Sequence, residues 1–272
     1  MISIDNPNRT GALGRLLGRA PGRGHPSAML GIDPIDVTAA TAGATGRIVH
    51  STADRTAAYF ACKRGIDAVL SALALAALTP LLLLIAILIK LDSSGPILFE
   101  QERVGSRRRR LASGAMVWDI TPFKVYKFRS MFHGSSESLH QLHTRAFVQD
   151  SVAADDLKLT EDPRVTRVGR VLRRTSLDEL PQLVNVLKGE MSLVGPRPVP
   201  VYEAAAYSEA HWERLAALPG ITGWWQVKGR GRVTFSEMIR MDIEYVQRQS
   251  LGLDFTILCA TIPAVVSRRG AE

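Results

Sequence analysis

Between Ala68 and Ile89 the chain carries no charged side chain. Twenty-two uncharged, mostly aliphatic residues would extend about 33 Å as a helix, close to the hydrocarbon thickness of a bilayer. A core helix rarely runs so long without a charge, so a membrane helix is expected here. Two features complicate a simple span. Thr79-Pro80 stands in the middle, where proline removes a backbone donor and bends a helix. The flanks are also basic on both sides, with Lys63 and Arg64 before the run and Lys90, Arg103 and Arg107–Arg110 after it. A spanning helix normally shows a Lys/Arg bias to one side. These residues leave open both a spanning helix and a re-entrant one that breaks at Thr79-Pro80. In the re-entrant case Lys63 and Arg64 would sit at the membrane interface and, with Lys90, meet anionic headgroups.

The rest of the chain is long enough for one sizeable domain with appendages. Its net charge of +8 points to an anionic partner: acidic lipid, a phosphorylated substrate or nucleic acid. The two cysteines, Cys62 and Cys259, have neither metal-ligand spacing nor a disulfide framework around them, which suits a reducing cytosolic side. The opening residues lack the apolar region of a signal peptide. Residues 1–58 are rich in Gly, Ala, Thr, Pro and Arg without sustained periodicity, and a disordered extension is expected.

After the apolar run, short strand-like and helical pieces alternate. "PILFEQERVG" and "FKVYKFRSM" read as strands, with the arginine-rich stretch 106–121 between them as a long hairpin loop. "TRVGRVLRR", "LDELPQLVNVLKG" and "TFSEMIRMDIEYVQRQS" read as helices, and "DFTILCATIPAVVS" as a short apolar helix broken by Pro263. On a strand, Lys127 and Arg129 share one face and Lys124 takes the other. Arg197 lies between two prolines, whose fixed φ angles stiffen the backbone; a guanidinium held that way suits bidentate phosphate binding.

In the arginine-crowded stretch "RRTSLDELPQL", two carboxylates stand side by side, Asp178 and Glu179. Ser176-Leu-Asp-Glu179 matches a capping box, so the acids can be read as a helix start. They can equally hold Mg²⁺ together with substrate phosphates, since that ion takes few protein carboxylates. Neighbours on a helix point about 100° apart, so the two acids need not share a role. By local pattern, capping is favoured, and both readings can hold at once.

In order along the chain stand "KRGID", the apolar run with its central proline, "GPILFEQERVG", "FKVYKFRSM", "DPRVTRVGRVLRRTSLDELPQLVNVLKGEMSLVGPRP", "PGITGWWQVKGR" and "SLGLDFTIL". Over about Ala61 to Val266 the chain thereby resembles the bacterial sugar transferases, monotopic polyprenyl-phosphate phosphoglycosyl transferases. The resemblance implies a helix-rich α/β fold: a re-entrant membrane helix (59–92) and amphipathic interfacial helices under a small cytosolic catalytic domain (93–272), at the inner membrane. It implies Asp178 as nucleophile, Glu179 as its partner, and Mg²⁺ held by both. Lys127, Arg129, Arg164, Arg174 and Arg197 become candidates for substrate phosphate, and Gln226 and Arg230 for nucleotide sugar.

The implied reaction moves a sugar 1-phosphate from a nucleotide diphosphate sugar, usually UDP-linked, to a polyprenyl phosphate such as undecaprenyl phosphate. It starts exopolysaccharide or other surface-glycan assembly. Membrane lipid is then a partner and nucleic acid is not; self-association and contacts with downstream glycosyltransferases stay open. Thr79-Pro80 stands where the family often has Ser-Pro. The stretch 106–121 is longer than the family's usual one, and the four-helix bundle that precedes the motifs in long members has no counterpart in these residues. The rival reading is a non-catalytic, membrane-anchored basic adaptor for acidic lipid or nucleic acid, which the charge alone permits.

Overall fold

The computed structural model describes residues 45–50, 55–135, 162–229 and 233–266, with Thr144 and Val148 between. Residues 1–44 lie outside the described residues, so the extension expected over 1–58 is described only in its last part. A long antiparallel hairpin dominates the sheet. Strand β2 (Leu98–Arg110) pairs with β3 (Met116–Phe128) over its whole length, from Leu98 opposite Phe128 to Arg110 opposite Met116. A short β1 (Ile48–His50) adds to the outer edge of β3 beside Val117–Asp119.

The expected loop over 106–121 is therefore corrected: only the tip between Arg110 and Met116 is loop. The arginines carry no period-2 pattern, and the far strand is buried on both faces, Val117 on one and Trp118 and Ile120 on the other. Two arginines of the run have settings of their own. Arg108 stacks on Phe60 with its guanidinium carbon 4.0 Å from the ring centroid, and Arg109 pairs with Asp119 across the strands.

Helix α1 (Ala57–Asp92) contains the uncharged run as a single helix, with Pro80 inside it. Among the described residues only 11% of its most apolar stretch is buried, which fits a membrane helix better than a core helix. Thr79 Oγ1 donates to the Leu75 carbonyl at 2.8 Å. That is one residue before the carbonyl that Pro80 leaves without a donor, and such back-bonding bends helices.

Short elements follow: α2 (Arg167–Thr175), a 3₁₀ turn (Leu177–Glu179), α3 (Gln182–Lys188), β4 (Ser192–Val194), β5 (Val199–Pro200) and α4 (Val201–Ala204). After them come a second 3₁₀ segment (Glu209–Leu215), β6 (Gly220–Thr222), α5 (Trp224–Lys228), α6 (Phe235–Arg248) and α7 (Leu251–Val266). Pro263 lies within α7 rather than ending it. β5 joins the far edge of β2, making a four-stranded sheet in the order β1-β3-β2-β5, while β4 and β6 form a separate parallel pair.

The main core joins Val104, Trp118 and Ile120 of the sheet to Leu215, Tyr245 and Ile257 of the helical segments. A smaller cluster joins Ile85 and Ile89 of α1 to Phe128 and Leu172. The result is a helix-rich α/β unit with one long apolar helix.

Candidate active site

The acidic pair sits on a 3₁₀ turn between two helices. Its backbone is set by Ser176, the one described non-glycine residue with positive φ, at 56°. In that left-handed conformation Ser176 closes α2, its N–H bonded to the carbonyls of Leu172 and Arg173, and its side chain gives the turn no cap. The expected capping box is therefore not formed. Pro181 then leads into α3, where its missing N–H costs nothing.

What fixes the turn against the sheet is Asn185, fully buried on α3. Its Nδ2 donates to the Lys124 carbonyl at 2.7 Å and to Glu190 at 2.8 Å, while its Oδ1 accepts from the Tyr126 N–H at 3.1 Å. One amide thus serves the β3 edge as a neighbouring strand would. Lys127, next along that strand, donates to Glu179 Oε1 at 2.7 Å, and Arg197 stands 3.7 Å from the same oxygen. A narrow cleft here is lined by Arg103, Lys127, Glu179, Gln182, Arg197 and Ile221.

Burial pushes the Asp178 carboxyl above the usual carboxylate range, and the charge of Glu179 pushes it the same way. Lys127 foremost, then Arg173 and Arg197, oppose the rise. A carboxylate so placed is a stronger base and nucleophile when ionised than an exposed one.

The Arg197 turn is rigid for more reasons than its prolines. Arg214 Nη2 donates to the Arg197 carbonyl at 3.4 Å, and Arg103 Nη1 to the Pro198 carbonyl at 3.0 Å. Both arginines are buried. Arg214 is also bonded to Asp242 and to Tyr207, and Arg103 to Gln101. On the other side of the turn, Gly195 and Gly220 let two backbones touch: a Cβ on Gly220 would lie 2.1 Å from the Gly195 nitrogen. Arg103, Asn185, Gln182 and Arg214 were not singled out in the sequence as site residues. Arg103 stood only among the basic residues that follow the apolar run, and nothing local marks Arg214.

The other sequence candidates fall differently. Arg129 is a helix cap: its Nη2 donates to the Ser93 carbonyl at 2.6 Å and Oγ at 2.9 Å, at the end of α1. Arg164 is forked onto Asp162, at 2.9 and 2.6 Å. Arg174 is exposed, and it is its neighbour Arg173 whose charge reaches Asp178. Gln226 donates to the carbonyl of Ile221, at the rim of the cleft, at 3.4 Å. Arg230 lies outside the described residues.

Lys63 and Arg64 do not face outward to headgroups. Lys63 is buried and paired with Asp254 at 2.6 Å, and Arg64 donates to the last carbonyls of α3, Val186 and Leu187, both at 2.6 Å. Their partners lie more than a hundred residues away, where no local charge pattern can see them.

A carboxylate pair beside a lysine and an arginine on a rigid turn, on a unit with one long apolar helix, suits phosphate chemistry next to lipid. Comparison with known proteins makes the class specific. The bacterial sugar transferase family matches residues 58–268, and the chain belongs to it; it is a transferase, not a non-catalytic adaptor.

Among relatives, it is 40% identical to the exopolysaccharide production protein ExoY of Sinorhizobium fredii over 213 residues, 77% of this chain and 87% of that one. It is 40% identical over 225 residues to the undecaprenyl-phosphate galactose phosphotransferase of Salmonella typhimurium, 83% of this chain and 44% of that one. It is 44% identical over 220 residues to the undecaprenyl-phosphate glucose phosphotransferase of Komagataeibacter xylinus, 77% of this chain and 36% of that one.

Proposed function

We propose that this chain transfers a sugar 1-phosphate from a UDP-sugar to undecaprenyl phosphate through a covalent phosphosugar on Asp178, in exopolysaccharide or other surface-glycan synthesis. The observation that carries the reading is the Asp178–Glu179 turn clamped to Lys127 and facing Arg197. The substrate names borne by the relatives support the donor and acceptor classes.

A direct transfer would drive two anionic phosphates together. Splitting it into two displacements lets one set of cations serve each in turn. An Asp178 oxygen attacks the sugar-bearing phosphorus, and the bond from that phosphorus to the bridging oxygen breaks, so UMP leaves with the electron pair. An oxygen of the lipid phosphate then attacks the same phosphorus and the Asp178 carboxylate departs. Arg197 and Lys127 spread the charge on the equatorial oxygens in both steps.

Asp178 and Glu179 supply the hard oxygen donors that suit Mg²⁺. Among the described residues no three His, Cys, Asp or Glu side chains cluster as a metal site, so the substrate's phosphates would complete the shell. When bound, the ion supplies charge neutralisation at the phosphates.

The membrane course that fits is re-entrant, with the catalytic unit on the cytosolic face of the inner membrane, where nucleotide sugar is found. What supports it is that Asp67 and Ser71 on one side of Pro80, and Ile85 and Ile89 on the other, are buried against one unit. A spanning helix would carry those ends to opposite faces. The test is a panel of UDP-sugars with undecaprenyl phosphate and Mg²⁺. UMP release with formation of a lipid diphosphate sugar is expected for at least one of them; none across the panel, with enzyme folded in membrane, would contradict the reading.

A further inference from the structure

Among the described residues strand β4 has a neighbouring strand on one side only: it pairs in parallel with β6, Ser192 opposite Gly220 and Val194 opposite Thr222. A strand edge buried without partners is costly, yet Ser192 and Val194 are buried. The free edge is completed by side chains of α1. Asp67 accepts from the Ser192 hydroxyl at 2.7 Å and from the Leu193 N–H at 3.3 Å. One helical turn earlier, Lys63 donates to the Val194 carbonyl at 3.1 Å. Lys63 is held by Asp254 at 2.6 Å, and Tyr245 joins Asp254 to the same Val194 carbonyl, at 2.7 and 3.0 Å. Lys63, Asp67, Tyr245 and Asp254 are all buried. The next residue after Val194 is Gly195, the start of the turn that carries Arg197.

We infer that Lys63 and Asp67 are positioning residues: the membrane helix supplies the missing edge of β4 and so sets the Arg197 turn against the acidic pair. The "KRGID" stretch then couples membrane insertion to the active site instead of meeting lipid. A helix displaced from its depth in the bilayer would pull on the β4 edge first, and through it on the phosphate-binding turn. The inference rests on the phosphate role proposed for Arg197.

The test uses the full chain in membranes and a double-mutant comparison, with the UDP-sugar that the wild type turns over. Asp67→Leu removes both acceptors, whereas Asp67→Asn keeps one for the Leu193 N–H. Asp67→Leu is expected to lower kcat/KM about ten- to a hundredfold, the scale of a small misplacement near the chemistry. Asp67→Asn is expected to recover most of the loss. In an Arg197→Lys background, Asp67→Leu should cost less than about threefold further, because residues acting through one another are not additive.

Full additivity of the two changes, or wild-type turnover by Asp67→Leu, overturns the inference. An Arg197→Lys enzyme that is itself unimpaired fails the phosphate role instead, which keeps the two failures apart. Should Asp67→Leu not accumulate in membranes, Ser192→Ala removes a smaller part of the same edge. It is read by the same comparison, again with additivity as the contrary result.

Discussion

Lys127 donates to Glu179 at 2.7 Å, so the lysine of the site sits on the neighbour of the proposed nucleophile and not on the nucleophile itself. Asp178 feels that ammonium only through space. The arrangement divides the pair: Glu179 is tied to the cationic wall, and Asp178 is left with its basicity raised by burial and by the adjacent charge.

The pH dependence of the first step follows from this division. The attacking group must be a carboxylate, so kcat/KM rises as pH rises through the Asp178 pKa. That limb should lie above the ordinary aspartate value of about 3.9. Glu179→Gln removes a charge that raises the Asp178 pKa, so the limb should move to lower pH even as the rate falls. Lys127→Met removes a charge that lowers it, so the limb should move up. Profiles of UMP release for the three enzymes check this, and limbs that coincide would contradict it.

Asn185 should matter to folding as much as to catalysis. Asn185→Ala leaves the Lys124 carbonyl and the Tyr126 N–H without their buried partner, a loss of about 2 kcal/mol or more. A clear fall in Tm in detergent is expected. A Tm unchanged from wild type would mean that water replaces the amide and that α3 is held by packing alone.

Arg197→Lys keeps the charge but loses the planar fork. The backbone of the turn is held from behind by Arg103 and Arg214, and the Arg197 side chain is 36% exposed. Folding should therefore be untouched, while kcat/KM falls about tenfold or more, equivalent to about 1.4 kcal/mol of transition-state stabilisation. Unchanged kinetics with an unchanged Tm would reduce "GPRP" to a turn.

Membrane course can be read by thiol labelling in intact cells. Cys62 is exposed, and a cysteine at Ser94 marks the other end of α1. With Cys259 replaced, both positions should be protected from an impermeant reagent applied outside. Thr79-Pro80→Leu-Leu should straighten the helix and bring one end out. Labelling of wild-type Cys62 from outside, with position 94 protected, would falsify the re-entrant course.

Much of the scaffold was legible locally. The long apolar helix, α2 and α6 follow from periodicity over a few residues. What was misread depended on distance or on backbone conformation. The capping box at Ser176 fails because that residue adopts a left-handed conformation to end α2, which composition does not reveal. Lys63 and Arg64 looked like headgroup ligands because Asp254 and the end of α3 are remote in sequence. Arg129 was expected on a strand face with Lys127, but β3 ends at Phe128 and Arg129 binds the end of α1 instead. The strands around 106–121 were obscured because four arginines in succession carry no apolar alternation, and neither does "MVWD" opposite them.

The central claim is the covalent intermediate, and mass spectrometry of the enzyme incubated with donor alone tests it most directly. With the UDP-sugar that supports turnover, Mg²⁺ and no lipid phosphate, wild-type enzyme should release about one UMP per active site and gain one sugar phosphate. The added mass should map to the peptide containing Asp178 and vanish on addition of undecaprenyl phosphate. Asp178→Asn, still membrane-bound, should show neither adduct nor UMP. UMP that appears only when acceptor is present, with no adduct on trapped enzyme, would contradict the account and point to direct transfer in a ternary complex.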